Sequence, residues 1–477
     1  MDTKKLRQKI LDLAIHGKLV PQDSNDEPAS VLLERIRAEK ERLIKEGKIK
    51  KSKASKTSDT PHYENRQVGE ANVPFDVPKG WCWSTIGEVA ESNIGLTYKP
   101  SDICENGVPV YRSNNIQNRR ICLNELVRVS ATILPKQYLQ EGDLLICARN
   151  GSRNLVGKCA IIENLNEPTS FGAFMAVCRS VLNPWIFHVL NSDYFNEYLD
   201  DSNSTAINQV TQKMLLAFKI PVPPLIEQER IILQLQHWFT LIDQIEQEKV
   251  ELHAVINQTK SKILDLAIHG KLVPQDPSDE PASELLKRIN PKAELTCDNG
   301  HYKNLPTGWA MCKLSDLCKI ENGFAFSSND YKTEGTPLVR ISNIVNNSID
   351  LTECVYIQNK TDDRFIVARG DLLIAMSGAT TGKMGVYSYE GTSYLNQRVG
   401  NIKILDNSLL LTGYRDVYMQ SKVDDILKLA YGGAQPNISA SVIGNFDFLL
   451  PPVDEQKRII EAINFAFEYL DIIMESL

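Results

Sequence analysis

The stretch KILDLAIHGKLVPQD at residues 9–23 occurs a second time, without one change, at residues 262–276. The two copies are 253 residues apart, and both continue into Asp-Glu-Pro-Ala-Ser, at 26–30 and at 279–283. Fifteen consecutive matches cannot arise by chance, so the chain uses one structural unit twice. The sequence therefore predicts a fold built as a two-fold internal repeat.

A second set of matches lies at an offset of 228 residues and frames two variable segments. Its members are Gly80-Trp81 with Gly308-Trp309, GDLLI at 142–146 with GDLLI at 370–374, and PPLIEQERII at 223–232 with PPVDEQKRII at 451–460. Each half is therefore a variable globular segment that ends at Pro-Pro and is followed by a long helix. The 25-residue difference between the two offsets corresponds to the basic tract around GKIKKSKASK, which is typical of a solvated linker.

Apolar residues at heptad spacing follow the first Pro-Pro pair and predict one continuous helix over 226–268, 43 residues and roughly 65 Å long. Its seam positions are Ile231, Leu235, Trp238, Ile242, Ile245, Lys249, Leu252, Ile256, Thr259, Ile263 and Leu266. The same phase recurs towards the two ends of the chain, at Ile459, Ile463, Ala466, Leu470, Ile473 and Leu477, and at Leu6, Ile10 and Leu13. Such a seam is a helix-pairing surface.

The C-terminal and N-terminal helices together match the continuous helix 226–268, because the two offsets leave only four residues of the repeat between them. The sequence therefore predicts two long antiparallel coiled-coil helices, one continuous and one split, that separate two globular domains. This arrangement has pseudo-two-fold, circularly permuted symmetry. It also predicts that the two termini lie close together.

The two globular segments contain short β-like runs such as VPVYRSNNI and PLVRISNI, with helical stretches near 185–200 and 409–429. This mixture favours an α+β fold over an all-β fold. The predicted divisions are a split helical region at 1–47, a basic linker at 48–78, a globular domain at 79–225, a central helical region at 226–289, a second linker at 290–305, a second globular domain at 306–451 and a C-terminal helix at 452–477.

Composition limits the class of protein. A chain of 477 residues with 42% hydrophobic and 24% charged residues is typical of a globular protein with two or more domains. No run approaches the ~18 apolar residues of a membrane span, and the start has no signal-peptide pattern, so we expect a cytoplasmic protein. The ten cysteines include no CxxC pair, which indicates neither a zinc site nor a disulfide framework. The net charge of −7 argues against indiscriminate coating of nucleic acid but leaves local DNA contact open.

Polar residues at the end of one matched strand are candidates for DNA binding. Arg112 and Asn115 in the first half correspond to Arg340 and Asn343 in the second. Arginine can bond bidentately to guanine and asparagine to adenine, which is the chemistry that a base-reading protein needs. The same side chains suit hydrogen bonding at a strand end, and the sequence leaves both interpretations open.

A loop of small residues follows each GDLLI strand. In the first half it runs from Arg149 to Arg153 and contains Asn150 and Gly151; in the second half it runs over 377–383 and ends at Lys383. Glycine allows close approach to phosphates or base edges, so Arg149, Arg153 and Lys383 are further DNA-binding candidates. The alternative is that these loops are ordinary hairpin turns.

Two other classes of function compete with DNA recognition. A DNA methylase acting on an exocyclic amine needs an Asn/Asp-Pro-Pro-aromatic motif, and the nearest match, Asn183-Pro184-Trp185, lacks the second proline. No GxxxxGK[ST] loop is present, which argues against ATP-driven translocation by this chain, and no cofactor is expected. A two-lobed helical protein–protein adaptor without a DNA role stays open, because the chain has no zinc-finger or helix-turn-helix pattern.

Taken together, the motifs resemble those of the specificity subunit of type I restriction-modification systems, the HsdS family. The features that carry the resemblance are ILDLAIHGKLVPQD, the Gly-Trp that opens each variable segment, GDLLI, and the PPxxEQxRI that closes each segment. The resemblance covers nearly the whole chain. One segment departs from it: Ile207 stands where the second half has Gln435.

The resemblance implies a non-catalytic subunit that reads a bipartite, asymmetric site on double-stranded DNA. Each globular segment would be a target-recognition domain for one half of the site. The helices would set the gap between the halves and dock two DNA methylase subunits, and nuclease-translocase subunits would join the complex. Catalysis would belong to these partners.

Overall fold

The computed structural model describes residues 2–47, 73–202, 209–289, 305–358, 362–431 and 436–477. The chain forms two compact units, Met1–Glu248 and Lys249–Leu477. The predicted linkers at 48–78 and 290–305, together with Met1, Ile207 and Gln435, lie wholly or mostly outside the described residues. No helix within the described ranges is both long enough and apolar enough to cross a membrane.

The first unit is α+β. Its helices are α1 Thr3–Ile15, α2 Ala29–Lys45, α3 Ile86–Val89, α4 Asn183–Leu190, α5 Asp193–Ser202, α6 Gln212–Ala217 and the first part of α7 Leu225–Ile268. Its strands are β1 Cys82–Thr85, β2 Glu91–Ile94, β3 Ile103–Tyr111, β4 Ile116–Gln117, β5 Arg120–Ile121, β6 Val127–Val129, β7 Leu144–Cys147, β8 Cys159–Ile161, β9 Ser170–Phe171, β10 Met175–Arg179 and β11 Lys219–Val222.

The second unit contains the remainder of α7 and is also α+β. Its other helices are α8 Ala282–Ile289, α9 Leu314–Leu317, α10 Thr412–Ser421, α11 Val423–Ala430, α12 Ala440–Gly444 and α13 Val453–Ser476. Its strands are β12 Ala310–Lys313, β13 Cys318–Asn322, β14 Thr336–Val339, β15 Ile344–Val345, β16 Ser348–Ile349, β17 Val355–Ile357, β18 Ile366–Val367, β19 Leu372–Ala375, β20 Met384–Val386, β21 Ser393–Leu395, β22 Val399–Ile404 and β23 Asp447–Leu450.

The same strand order recurs in both units. The order β2-β10-β7-β8 in the first unit corresponds to β13-β22-β19-β20 in the second, and β6-β3-β9 corresponds to β17-β14-β21. The GDLLI motif supplies β7 and β19, which lie between two partners and are buried throughout. A run of consecutive apolar residues suits such a position, because both faces of an interior strand are covered. The predicted α+β fold is confirmed.

The repeated ILDLAI stretch buries three equivalent residues in both units: Leu11, Ala14 and Ile15 in the first, and Leu264, Ala267 and Ile268 in the second. In the first unit Leu11 and Ile15 of α1 are packed in one core with Ile231 and Leu235 of α7. In the second unit the corresponding Leu264 and Ile268 of α7 share a core with Ile459 and Ile463 of α13. Full burial of a leucine or isoleucine side chain contributes about 1.5–3 kcal/mol, so the motif stabilises each unit through several side chains.

Helix α7 spans 44 residues and begins one residue before the predicted start. Of its seam positions, Ile242 and Ile256 are buried, whereas Trp238 is 40% exposed and Leu252 is 37% exposed. The heptad pattern therefore identified the helix and several of its buried residues. The predicted pairing of two antiparallel coiled-coil helices stays a prediction.

The two shorter predicted helical stretches are each broken in two. Residues 185–200 fall on α4 and α5, and residues 409–429 fall mainly on α10 and α11. The first break is at Asn191, whose backbone N–H and side-chain Nδ2 both donate to the Phe187 carbonyl, Nδ2 at 2.8 Å. A side chain that bonds to the last turn in this way favours a helix end.

Candidate nucleic-acid interface

Asn115 and Asn343 hold the turns that follow β3 and β14. The Asn115 Oδ1 accepts a hydrogen bond from the Arg112 backbone N at 2.9 Å, and its Nδ2 donates to the carbonyls of Cys122 and Asn124 at 3.0 and 3.1 Å. The Asn343 Oδ1 accepts from the Arg340 backbone N at 3.0 Å. Both side chains are buried. In this structure they make strand-end hydrogen bonds, which is the alternative that the sequence left open.

Replacing Asn115 by alanine is expected to lower the free energy of unfolding by about 2–3 kcal/mol, because backbone groups of the turn would lose their buried partners. Asn343→Ala should have an effect of the same sign, since its Nδ2 donates to the Asp350 carbonyl at 2.9 Å. Denaturant unfolding followed by circular dichroism measures both. Asn114→Ala, one residue away, removes a side chain of the same size and is the control. Equal stabilities of the Asn114 and Asn115 variants would contradict the assigned role.

Within the described residues, the arginines at the start of these turns use only some of the hydrogen-bond donors of their guanidinium groups. Arg112 Nη2 lies 3.5 Å from the Glu125 carbonyl, and the Arg340 guanidinium carbon lies 5.8 Å from the centre of the Tyr331 ring. Among the described residues, the buried Nε of each arginine has no hydrogen-bond partner. Both side chains are half-buried, so each can present the end of its guanidinium group to a ligand.

The loop after β7 places its two arginines in different surroundings. Arg149 is exposed, and its guanidinium carbon lies 5.6 Å from the centre of the Phe174 ring. The next residue, Asn150, donates from Nδ2 to the Ser113 hydroxyl at 3.1 Å, which joins this loop to the turn that carries Arg112. Arg153 instead forms an ion pair with Asp200 of α5. The structure therefore brings Arg149 towards Arg112 and directs Arg153 elsewhere.

The corresponding loop of the second unit ends at Lys383, which is exposed. Its structural counterpart in the first unit is Lys158 rather than Arg153. The backbone N of Ala375 donates to the Lys383 carbonyl at 2.8 Å, as that of Cys147 does to the Lys158 carbonyl at 2.9 Å. The Lys158 ammonium donates to the Ile116 carbonyl at 2.7 Å, and burial lowers its pKa. Lys383 is therefore available to contact a ligand, whereas the ammonium of the equivalent Lys158 is already bound to a backbone carbonyl.

In each unit, a turn beside this loop carries an exposed side chain that the sequence analysis missed. It is Phe174 in the first unit and Arg398 in the second. The Phe174 carbonyl accepts a hydrogen bond from the Ala148 backbone N at 2.9 Å, and the Arg398 carbonyl accepts one from Met376 at 2.8 Å. Phe174 and Arg398 are thus equivalent, although they are 224 residues apart and not 228. The offset of 228 residues between the repeated motifs therefore does not align these two residues. Only the paired strands before and after the turn reveal the match.

The comparison with protein families agrees with this repeated arrangement. The model of the type I restriction modification DNA specificity domain matches residues 78–254 and 306–473, which is more than half of the chain. The chain belongs to this family. Its two matched segments each contain one strand-end turn with Arg112 or Arg340 and one loop after a GDLLI strand, so family membership covers both copies of the candidate interface.

Two specificity subunits from Escherichia coli are similar to the chain over most of their length. The EcoAI subunit is 29% identical, with 97% of this chain and 88% of that subunit covered. The EcoKI subunit, from strain K12, is 24% identical, with 83% and 84% covered. The similarity to the EcoAI subunit thus spans nearly all of this chain.

A solved structure described as "Structural basis underlying complex assembly and conformational transition of the type I R-M system" contains a chain of similar fold. The TM-score is 0.58 at 17% sequence identity, and 84% of this chain and 94% of that chain are covered. At this identity the match shows the fold alone.

Proposed function

We propose that this chain is the non-catalytic, sequence-specific DNA-binding subunit of a type I restriction-modification complex. It reads a bipartite, asymmetric site on double-stranded DNA and docks two methylase subunits, which nuclease-translocase subunits join. One observation carries the proposal: the two units have the same strand order but different exposed side chains at equivalent loop positions, such as Phe174 and Arg398. A common framework with different surfaces suits the reading of two different half-sites.

Within this proposal, residues 79–225 and 306–451 are the target-recognition domains. Residues 1–47, 226–289 and 452–477 are the helical regions, and α7 sets the gap between half-sites. Arg112, Arg149, Arg340 and Lys383 are the residues that we assign to DNA, because their cationic groups are at least partly available. Asn115 and Asn343 hold the turns, and Arg153 contributes only if its ion pair with Asp200 opens.

Matched ion pairs support the pseudo-two-fold, circularly permuted design. In the first unit Arg7 of α1 lies 2.5 Å from Asp243 of α7. The residues equivalent to these by the offsets of 253 and 228 are Lys260 and Asp471, and they form an ion pair in the second unit. Equivalent positions of the split helix and the continuous helix thus carry charged residues that form ion pairs in the same way.

Replacing residues 79–225 by the equivalent segment of another family member is expected to change one half-site and leave the other half and the gap unchanged. The reason is that the helical regions and the second domain are all retained. Methylome sequencing of cells that carry the exchanged chain with its methylase partners measures the result. The unaltered chain with the same partners is the control.

A change in both half-sites, or in neither, would contradict the modular assignment. Sequence-independent modification by the unaltered complex would contradict the proposed function as a whole and favour a protein–protein adaptor. Methyl transfer by the purified chain without its partners would contradict the non-catalytic assignment.

A further inference from the structure

A turn of the same geometry faces the GDLLI loop in both units. In the first unit it spans 172–175, and the Met175 backbone N donates to the Gly172 carbonyl at 2.8 Å. In the second unit it spans 396–399, and the Val399 backbone N donates to the Asn396 carbonyl at 2.9 Å. The third residue of the turn is Phe174 in one case and Arg398 in the other, and both are exposed. Each turn therefore holds one exposed side chain, Phe174 or Arg398, at the same position relative to the GDLLI loop.

The residue opposite that side chain is Arg149 in the first unit and Ser377 in the second. The backbone N of Arg149 donates to the Phe174 carbonyl at 3.0 Å, so the two residues are adjacent through the main chain. In the second unit the Met376 backbone N, which is equivalent to that of Ala148, donates to the Arg398 carbonyl at 2.8 Å, and Ser377 is the residue that follows this contact. Each unit therefore carries one arginine in this pair of positions, but the arginine stands at the first position in one unit and at the second position in the other.

Phe174 is 61% exposed, which is unusual for a phenylalanine, since its burial would be favourable. Its ring packs on the Arg149 guanidinium, and such stacking orients a guanidinium while leaving its N–H groups available as donors. Among the described residues, no hydrogen bond satisfies the Arg149 guanidinium. Nearby polar groups are occupied: Lys158 by the Ile116 carbonyl and Arg153 by Asp200.

We infer that positions 149 and 174, and the equivalent positions 377 and 398, form the pair of side chains that determines which two adjacent bases each domain accepts at one place in its half-site. This inference rests on the proposed function. In the major groove an arginine pairs with guanine through O6 and N7, and an apolar side chain packs on the methyl group of thymine. Arg149 reads a guanine and Phe174 reads a neighbouring thymine. In the second unit Arg398 reads a guanine and Ser377 bonds to the neighbouring base.

The test uses the full chain assembled with its methylase partners, and binding to duplexes that carry each single base change in the mapped site. Phe174→Ala is expected to remove discrimination at one thymine of the first half-site, and Arg149→Ala at the adjacent guanine, each with about a 10-fold loss of affinity for the original site. Both residues are exposed, so the variants should fold as the unaltered chain does, which thermal melting checks. Val181→Ala, another exposed apolar change, two residues beyond the end of strand β10, is the matched control.

The double change Arg149→Ser with Phe174→Arg transplants the pair of the second unit into the first. It should alter the accepted bases at that place in the first half-site while the second half-site stays unchanged. A uniform loss of affinity for all duplexes would show that the pair contacts phosphates, and it would overturn the inference, as would unchanged discrimination in both single variants. Loss of sequence preference in the unaltered complex would instead overturn the proposed function.

Discussion

Replacing Glu455 by alanine is expected to lower the free energy of unfolding of the second unit by about 3 kcal/mol. The Glu455 side chain is fully buried at the start of α13. Its Oε2 accepts a hydrogen bond from Trp309 Nε1 at 2.9 Å, and its Oε1 accepts one from Gln275 Nε2 at 3.3 Å. Burial raises the pKa of the Glu455 carboxyl, so these donors offset part of its desolvation. Alanine would leave the Trp309 N–H buried without an acceptor, whereas Gln275 Nε2 would keep its hydrogen bond to the Gly270 carbonyl.

The first unit repeats this arrangement and provides an internal comparison. Glu227 Oε2 accepts from Trp81 Nε1 at 3.0 Å, and its Oε1 accepts from Gln22 Nε2 at 2.9 Å. Glu227→Ala should therefore cause a loss of similar size. Glu461→Ala, on the exposed side of α13, is the control for loss of a carboxylate. Denaturant unfolding of the three variants measures the effect, and a Glu455 variant as stable as the Glu461 variant would show that the hydrogen bonds contribute little.

These buried glutamates explain why the sequence predicted so much of the fold. The PPxxEQxRI motif, the Gly-Trp motif and the glutamine of KLVPQD are far apart in the chain, yet they meet at one carboxylate in each unit. A motif whose members contact one another is retained in both copies, so a comparison of the halves detects it. The repeat and its framing motifs could be predicted on this basis, whereas the long helix was predicted from heptad spacing and the α+β class from the mixture of β-like runs and helical stretches.

The candidate interface could be predicted only in part, for physical reasons that differ between residues. Asn115 was a candidate because asparagine can pair with adenine, but its carboxamide bonds to the carbonyls of Cys122 and Asn124, whose positions depend on the folded turn. The loop after the GDLLI strand is three residues shorter in the second unit, so the sequence did not show that Lys158 is the equivalent of Lys383, which follows from the strand pairing. The sequence spacing of the motifs alone cannot align the residues of two loops that differ in length.

Inserting four helix-forming residues between Glu248 and Lys249 is expected to lengthen the recognised gap by one or two base pairs and leave the half-site bases unchanged. Four residues add about 6 Å along a helix axis and restore the phase of the seam to within about 40°. One base pair of DNA is about 3.4 Å, so the added length corresponds to nearly two base pairs. The proposal that α7 sets the gap requires this result.

The insertion point lies at the boundary between the two units, which keeps the internal contacts of each unit. Arg7 retains Asp243 and Glu246 before the insertion, and Lys260 retains Asp471 after it. An insertion of one or two residues adds less length but turns the following helix by about 100° or 200°, and it should therefore abolish activity. Methylome sequencing compares the two kinds of insertion. Full activity with the original gap after the four-residue insertion would show that the domains or the methylase partners set the spacing, because a change in helix length would then have no effect on the site that is read.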